Sequence, residues 1–332
     1  MWKLLTRLAS PGGSNGTLTV LFFHRVFADV DPMMPGEPTA ASFDKILGWV
    51  QTQFNVLPLA DAVRRLIDGS LPPAAAAITF DDGYRDNLVV AAPILLQRRL
   101  PATFFIASGF LDGGIMFNDV VIESMRRCSR DEVDISFLNL GQLPLRTWAE
   151  RGLAVNTVLR ALKHLPLDER AAAVEKLQQS LGVEVPSDLM LTTAELRSLV
   201  ANGFDIGAHT DHHPILASLP NEAALAEITS GRARLEAIVD RRIGLFAYPN
   251  GRWGQDFDDR HRGMVKACGF DAGFSTEPSV CHRRSDRWSL PRFTPWDRTE
   301  LSFRLRLLTW QRRRLDLAPV LAGTHLSREH CR

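Results

Sequence analysis

At 332 residues the chain can bury a large core, and its length fits either one big α/β domain or two smaller ones. Its 39 lysines and arginines nearly cancel its 38 aspartates and glutamates, so no overall charge draws it to nucleic acid, and no such partner is expected. The four cysteines, Cys128, Cys268, Cys281 and Cys331, are scattered without a Cys-x-x-Cys pair, which fits a reducing compartment.

No run approaches the roughly 18 to 20 apolar residues that span a bilayer. Lys3 and Arg7 interrupt the apolar residues of 1–10, so the continuous core of a secretory signal is missing and a cytoplasmic location is expected. Residues 2–8 read as a short surface helix or as an anchor on a membrane surface. After the break Pro11-Gly12-Gly13-Ser14-Asn15-Gly16, residues 17–23 read as a buried strand ending at His24-Arg25. Residues 29–38, rich in Pro, Asp and Gly, read as a loop, and helical periods return in 41–53 and 59–68.

A second strand is expected over 74–80, a helix over 87–98 and a third strand over 102–107; strand, helix and strand at this spacing imply parallel pairing. From 109 to 201 the pattern is mostly helical, with segments at 119–127, 153–163, 167–181 and 193–201, the last opening on a capping box, Thr192-Thr193-Ala194-Glu195. This stretch reads as an excursion between strands. Strands follow at 203–208, 243–248, 271–276 and 288–293, with helices at 222–239 and 257–268 between them. About seven parallel strands alternating with helices predict an α/β fold, a distorted (β/α) barrel with a helical insertion after the third strand. The expected organisation is an N-terminal segment and linker over 1–16, the barrel over 17–296 with 109–201 as the insertion, and a basic amphipathic tail over 297–332.

The chemistry gathers around Thr79-Phe80-Asp81-Asp82-Gly83. An apolar run delivers two adjacent carboxylates to a glycine-marked turn, where neither is buried cheaply without a cation or a hydrogen-bond partner. Partners lie in His209-Thr210-Asp211-His212-His213-Pro214, whose imidazoles are spaced for a metal. One carboxylate and two imidazoles make an open three-ligand site, and a second carboxylate beside it makes a base: a metal-dependent hydrolase. Adjacent aspartates before glycine also occur in plain turns, where they bond to their own backbone. His24, Asp81 with Asp82, Ser108, His209 and 248–251 all follow the apolar part of a predicted strand, positions that share one face of a parallel barrel.

The two motifs, in this order, resemble the Thr-Phe-Asp-Asp-Gly and His-Ser/Thr-x-x-His signatures of the NodB-homology polysaccharide deacetylases, carbohydrate esterase family four. The resemblance runs from about Leu18 to Pro295. It implies Asp81 as general base and Asp82, His209 and His213 as ligands of a divalent metal, typically zinc, with cobalt or nickel as alternatives; His212 is the alternative imidazole. Because Pro214 disfavours a helical His213, the histidine ligands are expected on a loop.

The third signature of that family, Arg-x-Pro-Tyr-Gly, stands here as Ala247-Tyr248-Pro249-Asn250-Gly251, without the Arg and without Tyr after the proline. Tyr248, Asn250, Gly251 and Arg292 are candidate substrate or oxyanion residues, and Arg292, Arg25 or Arg252 is also a candidate for the missing cation. No late signature supplies the family's general-acid histidine, and His24 is the best substitute, since imidazole suits proton transfer at neutral pH. Trp253, Trp288 and Trp296 are candidate sugar contacts. Arg304, Arg306, Arg312, Arg313 and Arg314 alternate with apolar residues over 301–317, the pattern either of a terminal helix packed on the barrel or of a basic amphipathic helix lying on anionic lipid at the inner membrane face.

The expected function is removal of an N-acetyl group from a sugar, with a glycan precursor or lipid-linked saccharide as substrate. The competing readings are a catalytically weak saccharide-binding protein retaining a structural metal, and a deacylase of O-acyl or non-sugar substrates.

Overall fold

The computed structural model describes residues 2–312 without 164 and 296, and only the backbone of 311 and 312. Seven strands neighbour one another in parallel and in chain order: β1 (Thr17–Phe23), β2 (Ala75–Phe80), β3 (Thr103–Ile106), β4 (Asp205–Ala208), β5 (Leu245–Ala247), β6 (Ala272–Pro278) and β7 (Leu290–Arg292). The sheet then turns back on itself. Phe293, just after β7, donates to Val20 at 2.7 Å and accepts from Phe22 at 3.1 Å, so the last strand meets the first and nearly closes the barrel. Two-residue strands extend the sheet, Asn55–Val56 parallel to β2 and Cys281–His282 antiparallel to the start of β1.

Parallel strands covered on both faces need to be apolar throughout, and β2, Ala-Ala-Ala-Ile-Thr-Phe, is buried along its whole length. Side chains of one parity, among them Leu18, Val20, Ala75, Ala77, Phe105 and Ala247, form one cluster. There Phe105 of β3 meets Phe274 of β6, three strands away, so this cluster fills the barrel interior. Those of the other parity, including Leu21, Phe23, Ile78, Phe80 and Phe104, pack outward against the flanking helices.

The expected barrel is borne out, and details differ. The helix expected over 87–98 opens as a π-helical turn, Asn87–Ala91, before Ala92–Arg98. Between β3 and β4, helices Phe117–Arg127, Trp148–Leu162, Leu167–Leu181 and Thr193–Ala201 share the stretch with an antiparallel hairpin, Glu132–Asp134 with Gln142–Pro144. Three-residue strands are too short to show a period of two against a helical background, which is why the sequence hides them. The first three of these helices and the hairpin carry an apolar core of their own, around Val121, Met125, Val133, Val158 and Leu177.

At the termini, helix Glu300–Arg312 buries Phe303, Leu307 and Leu308 on the barrel and lies beside helix Trp2–Ala9. Arg304 pairs with Glu300 and lies over the Trp2 ring, and Arg306 pairs with Asp297. Packing thus turns these two arginines toward protein partners. The side chains of Arg312 to Arg314, the tail beyond them, Cys331 and Trp296 lie outside the described residues. Among the described residues no helix is long and apolar enough to cross a membrane.

Candidate metal centre and cleft

The ends of the parallel strands open into a cleft of about 1120 Å³, whose lining includes His24, Asp81, Asp82, His209, His213 and Asn250. Residues that run 226 positions apart in the chain meet because each follows its own strand.

Asp81 and Asp82, side by side in sequence, are held in opposite ways. Arg292, the last residue of β7 and completely buried, donates from Nη1 to Asp81 Oδ1 at 2.7 Å and from Nη2 to Oδ2 at 2.6 Å. Its Nε donates to the Ser275 carbonyl at 3.0 Å, which fixes the guanidinium plane. Burial by itself would raise the Asp81 pKa, but the Arg292 charge, with help from His209, outweighs it and holds the carboxyl below its usual range. Asp81 is thus a carboxylate at neutral pH.

Asp82 has a backbone φ of 77°, a left-handed conformation that a side chain adopts only when its surroundings impose it. Its Oδ1 is buried and has no hydrogen-bond partner, and it lies 3.4 Å from Nε2 of His209 and 3.4 Å from Nε2 of His213. Those distances are long for hydrogen bonds, but two ligands of one zinc, each about 2.0–2.2 Å from it in tetrahedral geometry, stand about 3.4 Å apart. All three ligand atoms lie within 4.8 Å of one another, so the donor set fits a divalent metal.

The imidazoles are set for that task. Nδ1 of His209 is 2.7 Å from the Ala247 carbonyl, which can only accept, so Nδ1 carries the proton and Nε2 keeps its lone pair. Burial pushes His213 down to about 4, so its ring is neutral at pH 7. Burial also works against charge on His209, yet the Asp82 and Asp81 carboxylates beside it raise its pKa. For Asp82, burial is outweighed by His213 and His209, and its pKa falls far below the ordinary range.

The loop 209–214 is not helical, as Pro214 required, and Thr210 and His213 take positive φ of 63° and 54°. Its shape is held from outside. Ser108 Oγ donates to Asp211 Oδ1 at 2.6 Å, and Glu227 accepts from the backbone N–H groups of Asp211 and His212. His212 Nδ1 lies 3.0 Å from Glu227 Oε1, so this histidine faces outward and is no alternative ligand here. Gly231, on helix Asn221–Val239, touches the same loop: a Cβ there would sit 2.6 Å from the Thr210 carbonyl.

His24 lines the cleft, and its backbone is fixed by the turn after β2: Asn87 Nδ2 donates to the His24 carbonyl at 2.8 Å, and Asp86 binds Arg25 Nε at 2.7 Å and the Val26 N–H at 3.2 Å. Asn250, at φ 59°, lines the cleft as well.

Three substrate or oxyanion expectations need correction. The Tyr248 ring is buried, stacked on Phe257 at 3.8 Å, with its hydroxyl donating to the Trp288 carbonyl at 2.8 Å, so the apolar packing of strand β5 takes it away from the cleft. The Gly251 N–H is already given to the Pro249 carbonyl at 2.6 Å. Arg292 stands behind Asp81 rather than before the substrate. Trp253 and Trp288 do not line the cleft, where Trp49 does; on helix Ala40–Gln53 its spacing reads as core, so the sequence offered no signal for it. Arg25, flanked by the rings of Phe27 and Tyr84, also lines the cleft.

Comparison with known proteins adds the family. The model of the polysaccharide deacetylase family matches residues 68–137 and 147–273, more than half of the chain. No curated protein sequence matches it. Among solved structures, the Streptococcus pyogenes deacetylase PplD, determined in complex with acetate, is 16% identical with a TM-score of 0.59, over 89% of this chain and 98% of that one. IcaB from Ammonifex degensii is 18% identical with a TM-score of 0.57, over 91% and 98%. BC0361, a polysaccharide deacetylase from Bacillus cereus, is 15% identical with a TM-score of 0.55, over 88% and 69%. At such identities these structures support the fold, while the family model, covering both signatures, carries the assignment. The chain belongs to the polysaccharide deacetylase family and is a hydrolase of the amide-cleaving kind.

Proposed function

We propose that this protein is a metal-dependent deacetylase that removes the N-acetyl group of a saccharide, such as a glycan precursor or a lipid-linked sugar, with Asp82, His209 and His213 holding a divalent metal, zinc before cobalt or nickel. The observation that carries this reading is the pair of contrasting aspartates, one clamped by Arg292 and one aimed, without a hydrogen-bond partner, between two imidazoles. When bound, the metal supplies Lewis-acid chemistry, lowering the pKa of water and polarising the acetyl carbonyl.

The remaining work falls to the chain's own groups. Asp81, kept ionised by Arg292, takes the proton of the attacking water; a carboxylate bound to the metal would be poor at this, which is why two aspartates are needed. Arg292, from a strand far down the chain, takes the role of the missing signature arginine by holding Asp81, which its two bonds to that carboxylate support. Asn250, the member of its turn that lines the cleft, is placed to donate to the oxyanion that develops on the acetyl group. His24, on the same cleft, gives the leaving amine its proton.

Acetate release from a panel of N-acetylated oligosaccharides tests the reading, with Asp81→Asn as control. Release by the wild type and its loss in the variant are expected. Saccharide binding by both proteins without release from either would instead support the competing reading, a binding protein with a structural metal.

A further inference from the structure

Away from the metal centre the charged lining of the cleft is mainly cationic. Lys45, Lys163, Arg170, Arg252 and Arg298 all face it, and none is in an ion pair among the described residues. Arg170 is held instead over the Phe117 ring at 4.2 Å, and burial lowers its pKa. Of the four carboxylates in the same lining three are committed, Asp81 to Arg292, Asp82 to the two histidines and Asp297 to Arg306, while Glu37 is in no ion pair among the described residues and burial raises its pKa, disfavouring its charge. A neutral glycan would offer these cations hydrogen bonds but no opposite charge. A phosphate would, since planar guanidinium groups and lysines recognise it with charge-assisted hydrogen bonds.

One wall of this cleft continues into an apolar surface. Pro295, Asp297 and Arg298 line the cleft immediately before helix Glu300–Arg312, and Trp49 of the wall packs on Phe303 of that helix. The helix lies beside Trp2–Ala9, and the two expose Leu301 and Leu305, 57% and 50%, and Leu4 and Leu8, 63% and 71%. Each pair is spaced i, i+4, hence on one helix face. Lys3 and Arg7, exposed beside Leu4 and Leu8, add positive charge without acidic partners among the described residues. Leucines with interspersed cations suit the interface of an anionic bilayer.

We infer that the acetylated saccharide received by this cleft is joined through a phosphate group to a lipid, and that the leucine faces of the two terminal helices seat the protein on the anionic membrane presenting it. The inference rests on the deacetylase reading and narrows its substrate class.

The test uses the full chain and one acetylated sugar in four forms: N-acetylglucosamine as a neutral oligosaccharide, as the soluble 1-phosphate, as a polyprenyl glycoside without phosphate, and as the polyprenyl phosphate ester, the lipid forms in phosphatidylglycerol vesicles. The polyprenyl phosphate form is expected to show the highest kcat/KM, and Lys163→Gln with Arg170→Gln to remove about tenfold of that advantage, the worth of one charge-assisted contact. The chain is expected to float with phosphatidylglycerol vesicles at low salt, less at high salt and not with phosphatidylcholine alone; Leu4→Gln, Leu8→Gln, Leu301→Gln and Leu305→Gln together are expected to abolish flotation. Equal kcat/KM with and without phosphate overturns the inference. A soluble phosphate form used as well as the lipid one, or no flotation at low salt, overturns its membrane half. Should no form be hydrolysed, the deacetylase reading fails, and calorimetric affinities for the same four ligands, together with flotation, still decide the inference.

Discussion

Asp81 and Asp82 share the turn after β2 and a chemistry, yet the protein treats them as opposites. Asp81 is completed by protein: both oxygens are taken by a guanidinium that arrives from β7, 211 residues later in the chain. Asp82 is left incomplete, its Oδ1 buried and facing two imidazole nitrogens at a spacing that suits a shared cation. A buried carboxylate oxygen without a hydrogen bond is costly, and a cation shared with the two imidazoles would offset that cost. The proposed function follows this difference: in it the completed carboxylate handles protons, and the incomplete one binds the metal.

The sharpest way to break this comparison is to take Asp81 away while leaving Asp82. Asp81→Asn should lower turnover by about 10²- to 10⁴-fold, the usual range for a general base, with metal content unchanged by elemental analysis. Asp82→Ala, His209→Ala and His213→Ala should do the reverse, losing metal first and activity with it. If Asp81→Asn lost metal and Asp82→Ala kept it, the assignment of the two would be inverted.

Removing the clamp comes next. Arg292→Met leaves a buried carboxylate alone and should cost about 3–5 kcal/mol in denaturant titrations. It should also move the pH profile in a definite direction. Arg292 holds the Asp81 pKa below its ordinary value of 3.8, so the stability this pair contributes is present above that value and is lost as pH falls through the lower, folded one. Without the arginine burial dominates, the pKa rises, and the acidic limb of kcat should shift to higher pH. An unshifted limb would show that Arg292 does not tune Asp81.

A smaller effect is expected from Gly231→Ala, whose new Cβ would press on the Thr210 carbonyl, carry the histidine loop with it and cost about 1–3 kcal/mol. Weaker metal binding is the readout that separates it from simple destabilisation. Unchanged metal affinity would mean that the loop gives way locally. The smallest is Tyr248→Phe, which removes the buried bond to the Trp288 carbonyl and should cost about 1 kcal/mol of stability with turnover nearly intact. A large loss of turnover would return Tyr248 to the substrate.

The same contrast explains what was legible in the sequence. The barrel was readable because each strand is an apolar run followed by a turn, and the aspartates and histidines because each signature is contiguous: Thr79 to Gly83 and His209 to His213 are local patterns. Arg292 was only one of three arginine candidates for the missing cation, since a pairing between the turn after β2 and the end of β7 depends on how the barrel closes, which no local pattern encodes. Tyr248 misled for the opposite reason: its position after β5 suggested the cleft, while stacking on Phe257 decided its direction. The outward turn of His212 likewise depended on Glu227, a partner on a later helix.

The most direct test of the account is to strip the protein with a chelator and return zinc stepwise while measuring acetate release from an N-acetylated oligosaccharide or lipid-linked sugar. Activity should vanish on stripping and return in proportion to added zinc up to one equivalent, with Asp82→Ala silent throughout. Full acetate release from metal-free protein, or restoration of Asp82→Ala by one equivalent of zinc, would contradict it.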